Sequence, residues 1–285
     1  MNQLHPILFS TGSLHVEEIS TCFKLAKEAG FDGIEIIIDR RRSTFNSVTL
    51  NRLSDQYNLP IKVIHNPFFM FLPDSPDSRN PIKVLKDSVA LAEAVNAESV
   101  VLHLPAKEGQ KYVLNPGKNH TGFTFNNPDH KLYQWIKTGG LRNFQNTSEV
   151  KICVENMPKR GGLFHPKNLY YWNNIKEWST IHDYLTLDTT HWGTWNLDPL
   201  DAFKAGDSRV RHIHLSNFNG REHQLPENGT LNLSGLLRAV AQIDHKLSVT
   251  LELCPDALDY QNERNVKENL SQAVQFMRKN LAPTG

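Results

Sequence analysis

The chain has only three cysteines in 285 residues, Cys22, Cys153 and Cys254, and no C-x-x-C pair among them. An odd set with that spacing missing points to reduced thiols rather than a disulfide framework. No run approaches about 20 apolar residues and no apolar leader opens the chain, so neither a spanning helix nor a secretory signal is expected. These absences together lead to the expectation of a soluble, cytoplasmic protein with no membrane partner. An excess of charge of one sign is also lacking, with 31 Lys and Arg against 30 Asp and Glu for a net +1. No strong global field therefore draws the chain to nucleic acid or anionic lipid, although local basic patches remain open. Hydrophobic residues at 39% and charged residues at 21% carry no disorder signature.

What the chain does have is a series of short apolar runs that end on polar residues. Ile61–His65, Ser99–His103, Val150–Glu155, Tyr184–Asp188, Val210–His214 and Ser248–Glu252 finish on His, His, Glu, Asp, His and Glu. Those are metal ligands and proton carriers, and the fold that gathers strand ends into one cup is the (β/α)8 barrel. The spacing predicts further strands over Pro6–Gly12 and Gly33–Ile38, giving eight. Helical patterns alternate with them: Val16–Ala29, Leu50–Asn58, Pro81–Asn96, Leu132–Ile136, Pro199–Ala205, Leu233–Ile243 and Val266–Leu281. No break in composition marks a second domain, so residues 1–285 read as a single α/β barrel. The polar segment from Lys107 to about Pro128 interrupts the rhythm, as a functional lid or a disordered insert.

Side chains two apart along a strand share a face, which places Glu155 with Cys153, Asp188 with Thr186, His214 with His212, and Glu252 with Thr250. The intervening Val154, Leu187, Ile213 and Leu251 suit packing against outer helices. Parity thus turns four polar strand ends inward at the C-terminal mouth, where barrel enzymes carry their active sites. Clustered carboxylates repel unless a cation sits among them, and this mostly oxygen set favours Mn²⁺ or Mg²⁺, with Zn²⁺ also open. Cys153 and Cys254 share those faces as small core fillers rather than reactive thiols. His65 and His103 can extend the site to a second metal or bond substrate hydroxyls, or serve as buried structural histidines. His212, a layer deeper than His214, reads as a packed residue that supports the ligands.

Trp192, Trp195, Tyr171 and Trp172 either stack on the apolar face of a sugar or close over the core. Arg40–Arg42 reads as a solvated basic run, with a phosphate clamp as the sharper alternative, and Glu35 reads as a rim residue that orients substrate or pairs with an arginine. Gly161–Gly162 is a flexible loop, too weak a signal for phosphate binding.

Asp188-Thr189-Thr190-His191, the Glu155-Asn156 strand end, His212-Ile213-His214-Leu215, His223 to Gly229 and Leu251-Glu252 resemble the xylose isomerase-like barrel superfamily. That group includes ketose 3-epimerases, sugar-phosphate isomerase/epimerase-like proteins and endonuclease IV, and the resemblance covers essentially the whole chain. It implies a shared metal site of Glu155, Asp188, His214 and Glu252, with His191 and Arg221 on substrate. It also implies that His65, His103, His191 and His223 hold a further metal or substrate. The chain departs from endonuclease IV in having Arg221-Glu222-His223 where that enzyme has Asp-x-His; Asn217 and Asn228 also replace acids common in the superfamily.

The leading expectation is a divalent-metal-dependent isomerase or epimerase of a sugar, polyol or sugar phosphate. Glu155 and Glu252 would be the catalytic pair, moving a proton through an enediolate, with Trp192 among the substrate contacts. The partner is then a small carbohydrate rather than nucleic acid, and a homo-oligomer stays open. The alternative is an endonuclease IV-like zinc phosphodiesterase acting on abasic DNA.

Overall fold

The computed structural model describes residues 5–67, 80–107, 129–160 and 167–282, with the backbone of 111–113 and 122–124. Among the described residues there are ten strands: β1 (Ile7–Ser10), β2 (Gly33–Ile37), β3 (Ile61–His65), β4 (Ser99–His103), β5 (Lys111–Val113), β6 (Gly122–Thr124), β7 (Lys151–Glu155), β8 (Tyr184–Asp188), β9 (Val210–Leu215) and β10 (Ser248–Leu251). The helices are α1 (Ile19–Ala29), α2 (Ser47–Tyr57), α3 (Pro81–Ala94), α4 (Asp129–Lys137), α5 (Gly140–Gln145), α6 (Ile175–Ile181), α7 (Thr189–Gly193), α8 (Pro199–Gly206), α9 (Leu233–Val240) and α10 (Glu263–Leu281). Eight parallel strands close in the order β1, β2, β3, β4, β7, β8, β9, β10 and back to β1. This is the (β/α)8 barrel that the strand rhythm predicts.

The apolar runs form these strands because each is covered on both faces. Val154, Leu187, Ile213 and Leu251 face outward into the large core shared with the helices. Leu8, Val63 and Val101 form a separate small cluster, and parity with Ser10, His65 and His103 places it inside the barrel. Above it the interior turns polar, with Glu35, Thr186, His212 and Thr250 all fully buried.

Local signals set the element ends. α1 stops at Gly30, whose φ of 87° only glycine adopts without strain. Asn80 and Asp198 cap α3 and α8, each followed by a proline in the first turn. At Gly33 a Cβ would lie 2.8 Å from the Pro60 carbonyl, so the missing side chain lets β2 close against the start of β3.

Strands β3, β4 and β8 coincide with the expected runs, and β9 runs one residue further, to Leu215. Glu252 falls one residue beyond β10, yet its N–H still donates to the Leu215 carbonyl at 3.3 Å, which holds it beside β9. Helices α5, α6 and α7 are not expected from periodicity, being too short to show a 3.6-residue pattern. Within the Lys107–Pro128 segment, β5 and β6 pair antiparallel. The lid expectation for the rest of that segment, and Gly161–Gly162, lie outside the described residues. Among the described residues no helix is long and apolar enough to cross a membrane.

Candidate metal centre

Four successive barrel strands carry the predicted ligands. Asp188 of β8 pairs in register with His214 of β9, Thr250 of β10 pairs with His214, and Glu155 ends β7. Glu155, Asp188, His214 and Glu252 each bring a ligand atom within 4.8 Å of the other three. His214 Nδ1 is the hub, 2.8 Å from Glu155 Oε1, 3.1 Å from Glu252 Oε2 and 3.9 Å from Asp188 Oδ2. The first three residues are buried and Glu252 is 14% exposed, so the cluster opens toward solvent on the Glu252 side.

Asp188 divides its oxygens between two tasks. Oδ1 accepts from the His191 N–H at 2.7 Å and caps α7. Oδ2 is buried with no hydrogen-bond partner. An orphaned carboxylate oxygen costs stability unless something positive meets it. The cluster's three carboxylates, Asp188 among them, and one imidazole therefore fit a divalent cation, the oxygen-rich set suiting Mn²⁺ or Mg²⁺ and admitting Zn²⁺.

The electrostatics carry the same stress. Burial would raise the Glu155 carboxyl, but His214, His103 and His65 outweigh it and hold its pKa well below the ordinary carboxylate range. Asp188 is pushed well above that range, by burial first and then by the charges of Glu155 and Glu252. Burial opposes a proton on His214, yet Glu252, Glu35 and Glu155 together hold its pKa well above that of a free imidazole. Without a cation, protons neutralise the carboxylate crowding.

His65 and His103 reach the other edge of Glu155, with Nε2 atoms 3.6 and 3.0 Å from Oε2. His65 Nδ1 lies 2.9 Å from the Asn66 carbonyl, which can only accept, so Nδ1 carries the hydrogen. In neutral His65 the Nε2 lone pair then points at a carboxylate. His65, Glu155 and His214 thus form a second grouping of donors. His191 Nδ1 likewise donates to the Asn156 carbonyl at 2.8 Å, and Asp188, His191 and His223 form a third.

Two further expected substrate contacts differ in exposure. Trp192 is fully buried and sits edge-on to Trp178 at 5.7 Å, so it packs in the outer core and offers no face to a ligand. Arg221 is exposed at the tip of the loop after β9, while its neighbour Glu222 pairs with Arg160 at 2.8 Å. Tyr171 stacks on Tyr133 at 3.8 Å, Trp172 packs against His182, and Trp195 donates to the Met157 carbonyl, so these aromatics close the helix layer. Arg41 is no phosphate clamp: it forks onto Asp39 and donates to the carbonyls of Thr11, Leu14 and Glu17. Burial raises the thiols of Cys22 and Cys254 to about 11 and of Cys153 to about 12, in keeping with inert fillers.

Sequence reasoning did not give the roles of two residues it named. Asn156 ties β7 to β8, its amide donating to the Asp188 carbonyl at 3.0 Å and accepting from the Asp188 N–H at 2.8 Å. Glu35, expected at the rim, is fully buried beneath the cluster, 2.7 Å from His212 Nε2 and 3.1 Å from His214 Nε2. The staggered register, Glu35 opposite Val63 and Ile37 opposite His65, sets it a layer below the mouth. The acid in Gly33-Ile34-Glu35 was a visible signal, but its depth was not.

A closed parallel barrel with a buried acid–histidine cluster at its mouth is the architecture of a large enzyme class, and the match to known families agrees. The family model described as the xylose isomerase-like TIM barrel matches residues 23–280, and the chain belongs to that family. Among curated proteins it is 25% identical over 290 residues to an uncharacterized protein of Mycobacterium leprae, covering 94% of this chain and 95% of that one. Among solved structures, D-psicose 3-epimerase with D-tagatose from Clostridium cellulolyticum H10 superposes with a TM-score of 0.69 at 15% identity, covering 98% of this chain and all of that one. A D-tagatose 3-epimerase-like protein gives 0.65 at 19% identity over 97% of this chain and all of its own. The 3-keto-D-glucoside 4-epimerase of E. coli gives 0.65 at 15% identity, covering 95% and 99%. At these identities the likeness is one of fold.

Proposed function

We propose that the protein is a divalent-metal-dependent isomerase or epimerase of a sugar, a related polyol or a sugar phosphate. The observation that carries this reading is the convergence of Glu155 and Glu252 on His214 Nδ1 from the two ends of a four-strand run. The sugar epimerases that share the fold support the same substrate class.

Glu155, Asp188, His214 and Glu252 would hold the cation, which supplies positive charge to adjacent carbonyl and hydroxyl oxygens of the substrate. One glutamate takes the proton from the carbon beside the carbonyl, and the C–H electron pair becomes the double bond of an enediolate. The other glutamate returns a proton, to the opposite face for epimerisation or to the neighbouring carbon for isomerisation. Each transfer by a placed carboxylate contributes about 10²–10⁴-fold. His191, with Nδ1 already bonded to Asn156, turns Nε2 to substrate oxygens. The test is deuterium wash-in from D₂O over a panel of ketoses, inososes and their phosphates with metal-replete protein. Exchange into one of them is expected; no exchange into any overturns the reading.

A second reading, an endonuclease IV-like phosphodiesterase, draws on His65 and His103 flanking Glu155, which give the site a second donor set. It is not favoured. The Asp188–His191–His223 grouping has one carboxylate, and Arg221 stands where the endonuclease's Asp-x-His carries its acid. Abasic-site incision together with more than one zinc per chain would reverse this preference.

A further inference from the structure

We propose that Glu35 is a positioning residue that locks His214 in the one tautomer able to present Nδ1 to a cation. The inference rests on the metal reading above and concerns Glu35, which is not one of the four proposed ligands.

The argument is one of hydrogen-bond accounting in a place without water. Glu35, His212 and His214 are each 0% exposed, so every polar atom must find its partner within the barrel. Glu35 Oε2 lies 2.7 Å from His212 Nε2 and 3.1 Å from His214 Nε2, and Oε1 accepts from the Ser10 hydroxyl at 3.1 Å. An ionised carboxylate only accepts, so both Nε2 atoms carry hydrogens. His212 Nδ1 is then an acceptor, and the Ser248 hydroxyl donates to it at 2.7 Å. Donation runs from Ser248 through His212 to Glu35 and from His214 to Glu35, so both arms converge on the carboxylate and no donor meets another donor. With Nε2–H committed downward, neutral His214 holds its lone pair on Nδ1, the atom that faces Glu155 and Glu252. Outer carboxylates that orient a ligating histidine in this way are typically worth about 10–100-fold in metal affinity.

Glu35→Met tests this at nearly constant volume. It removes both acceptor oxygens, so the Nε2–H groups of His212 and His214 lose the partner that holds them in place. Metal affinity is measured with Mn²⁺ alone by titration calorimetry, alongside ¹⁵N-histidine NMR of the Zn²⁺-loaded parent to read the tautomer. The expected results are a loss of about tenfold or more in Mn²⁺ affinity with the fold retained, and a parent His214 with hydrogen on Nε2 and none on Nδ1. A folded Glu35→Met chain that binds Mn²⁺ within twofold of the parent overturns the proposal while leaving the metal reading intact. So does a parent His214 coordinating through Nε2, a readout that stands even where the variant fails to fold. A parent that binds no divalent ion overturns both.

Discussion

At the residue scale, Asp188 concentrates the conflict between stability and function. Its Oδ1 caps α7 and its Oδ2 is buried without a hydrogen-bond partner between two other carboxylates. Asp188→Asn keeps an oxygen for the cap and removes the charge. The metal-free variant is expected to be more stable than the parent near neutral pH, because the parent must hold a buried charge beside two carboxylates or take up a proton to remove it. Its metal affinity should fall at least about tenfold. Urea melts in chelator and Mn²⁺ titration check the two halves.

The pH dependence of the metal-free chain follows from the same residues. The raised pKa of His214 contributes stability that is fully present below pH 6.5 and is lost as pH rises through the folded value. Asp188, also raised, begins to lose its contribution as pH rises above 3.8 and goes on losing it through its folded value, whereas the lowered carboxyls of Glu35 and Glu155 lose theirs as pH falls below 4.5. Melting temperature in chelator should therefore decline as pH climbs past 6.5, and saturating Mn²⁺ should remove most of the decline.

At the scale of elements, the short helices between barrel strands are held by a few large side chains rather than by their own propensity. α6 has seven residues, too few to be stable alone, and Trp178 pins it: fully buried, edge-on to Trp192, with its indole N–H donating to the Val154 carbonyl at 3.0 Å. Trp178→Ala is expected to cost about 3–5 kcal/mol in urea unfolding. Val154 lies next to Glu155, so the same substitution should also weaken Mn²⁺ binding, though less than Asp188→Asn does.

For the whole molecule, a cation that binds only the closed barrel couples the site to global stability. At a metal concentration one hundred times Kd the gain is about 2.7 kcal/mol. Thermal melts in increasing Mn²⁺ should rise continuously, and Glu252→Gln should flatten the rise. Glu252 suits this test because it is the most exposed of the four and the substitution disturbs packing least. A metal-independent melting curve in the parent would count against the site.

Much of the barrel and of its mouth was readable in the chain itself. A parallel strand buried on both faces must be an apolar run, so Ile61–His65 or Tyr184–Asp188 announces its extent and its polar last residue without further context. The two-residue period then turns Glu155, Asp188, His214 and Glu252 to the same side, and the structure brings those four together. Depth and neighbourhood are different in kind. Whether Glu35 lay at the rim or beneath His214 depended on the stagger between β2 and β3, and whether Trp192 met a ligand or Trp178 depended on how α6 and α7 pack. Those relations join residues up to 179 positions apart, as His214 and Glu35 are, and no local pattern encodes them. Periodicity determined which way each side chain points; only closure of the barrel decided what it meets there.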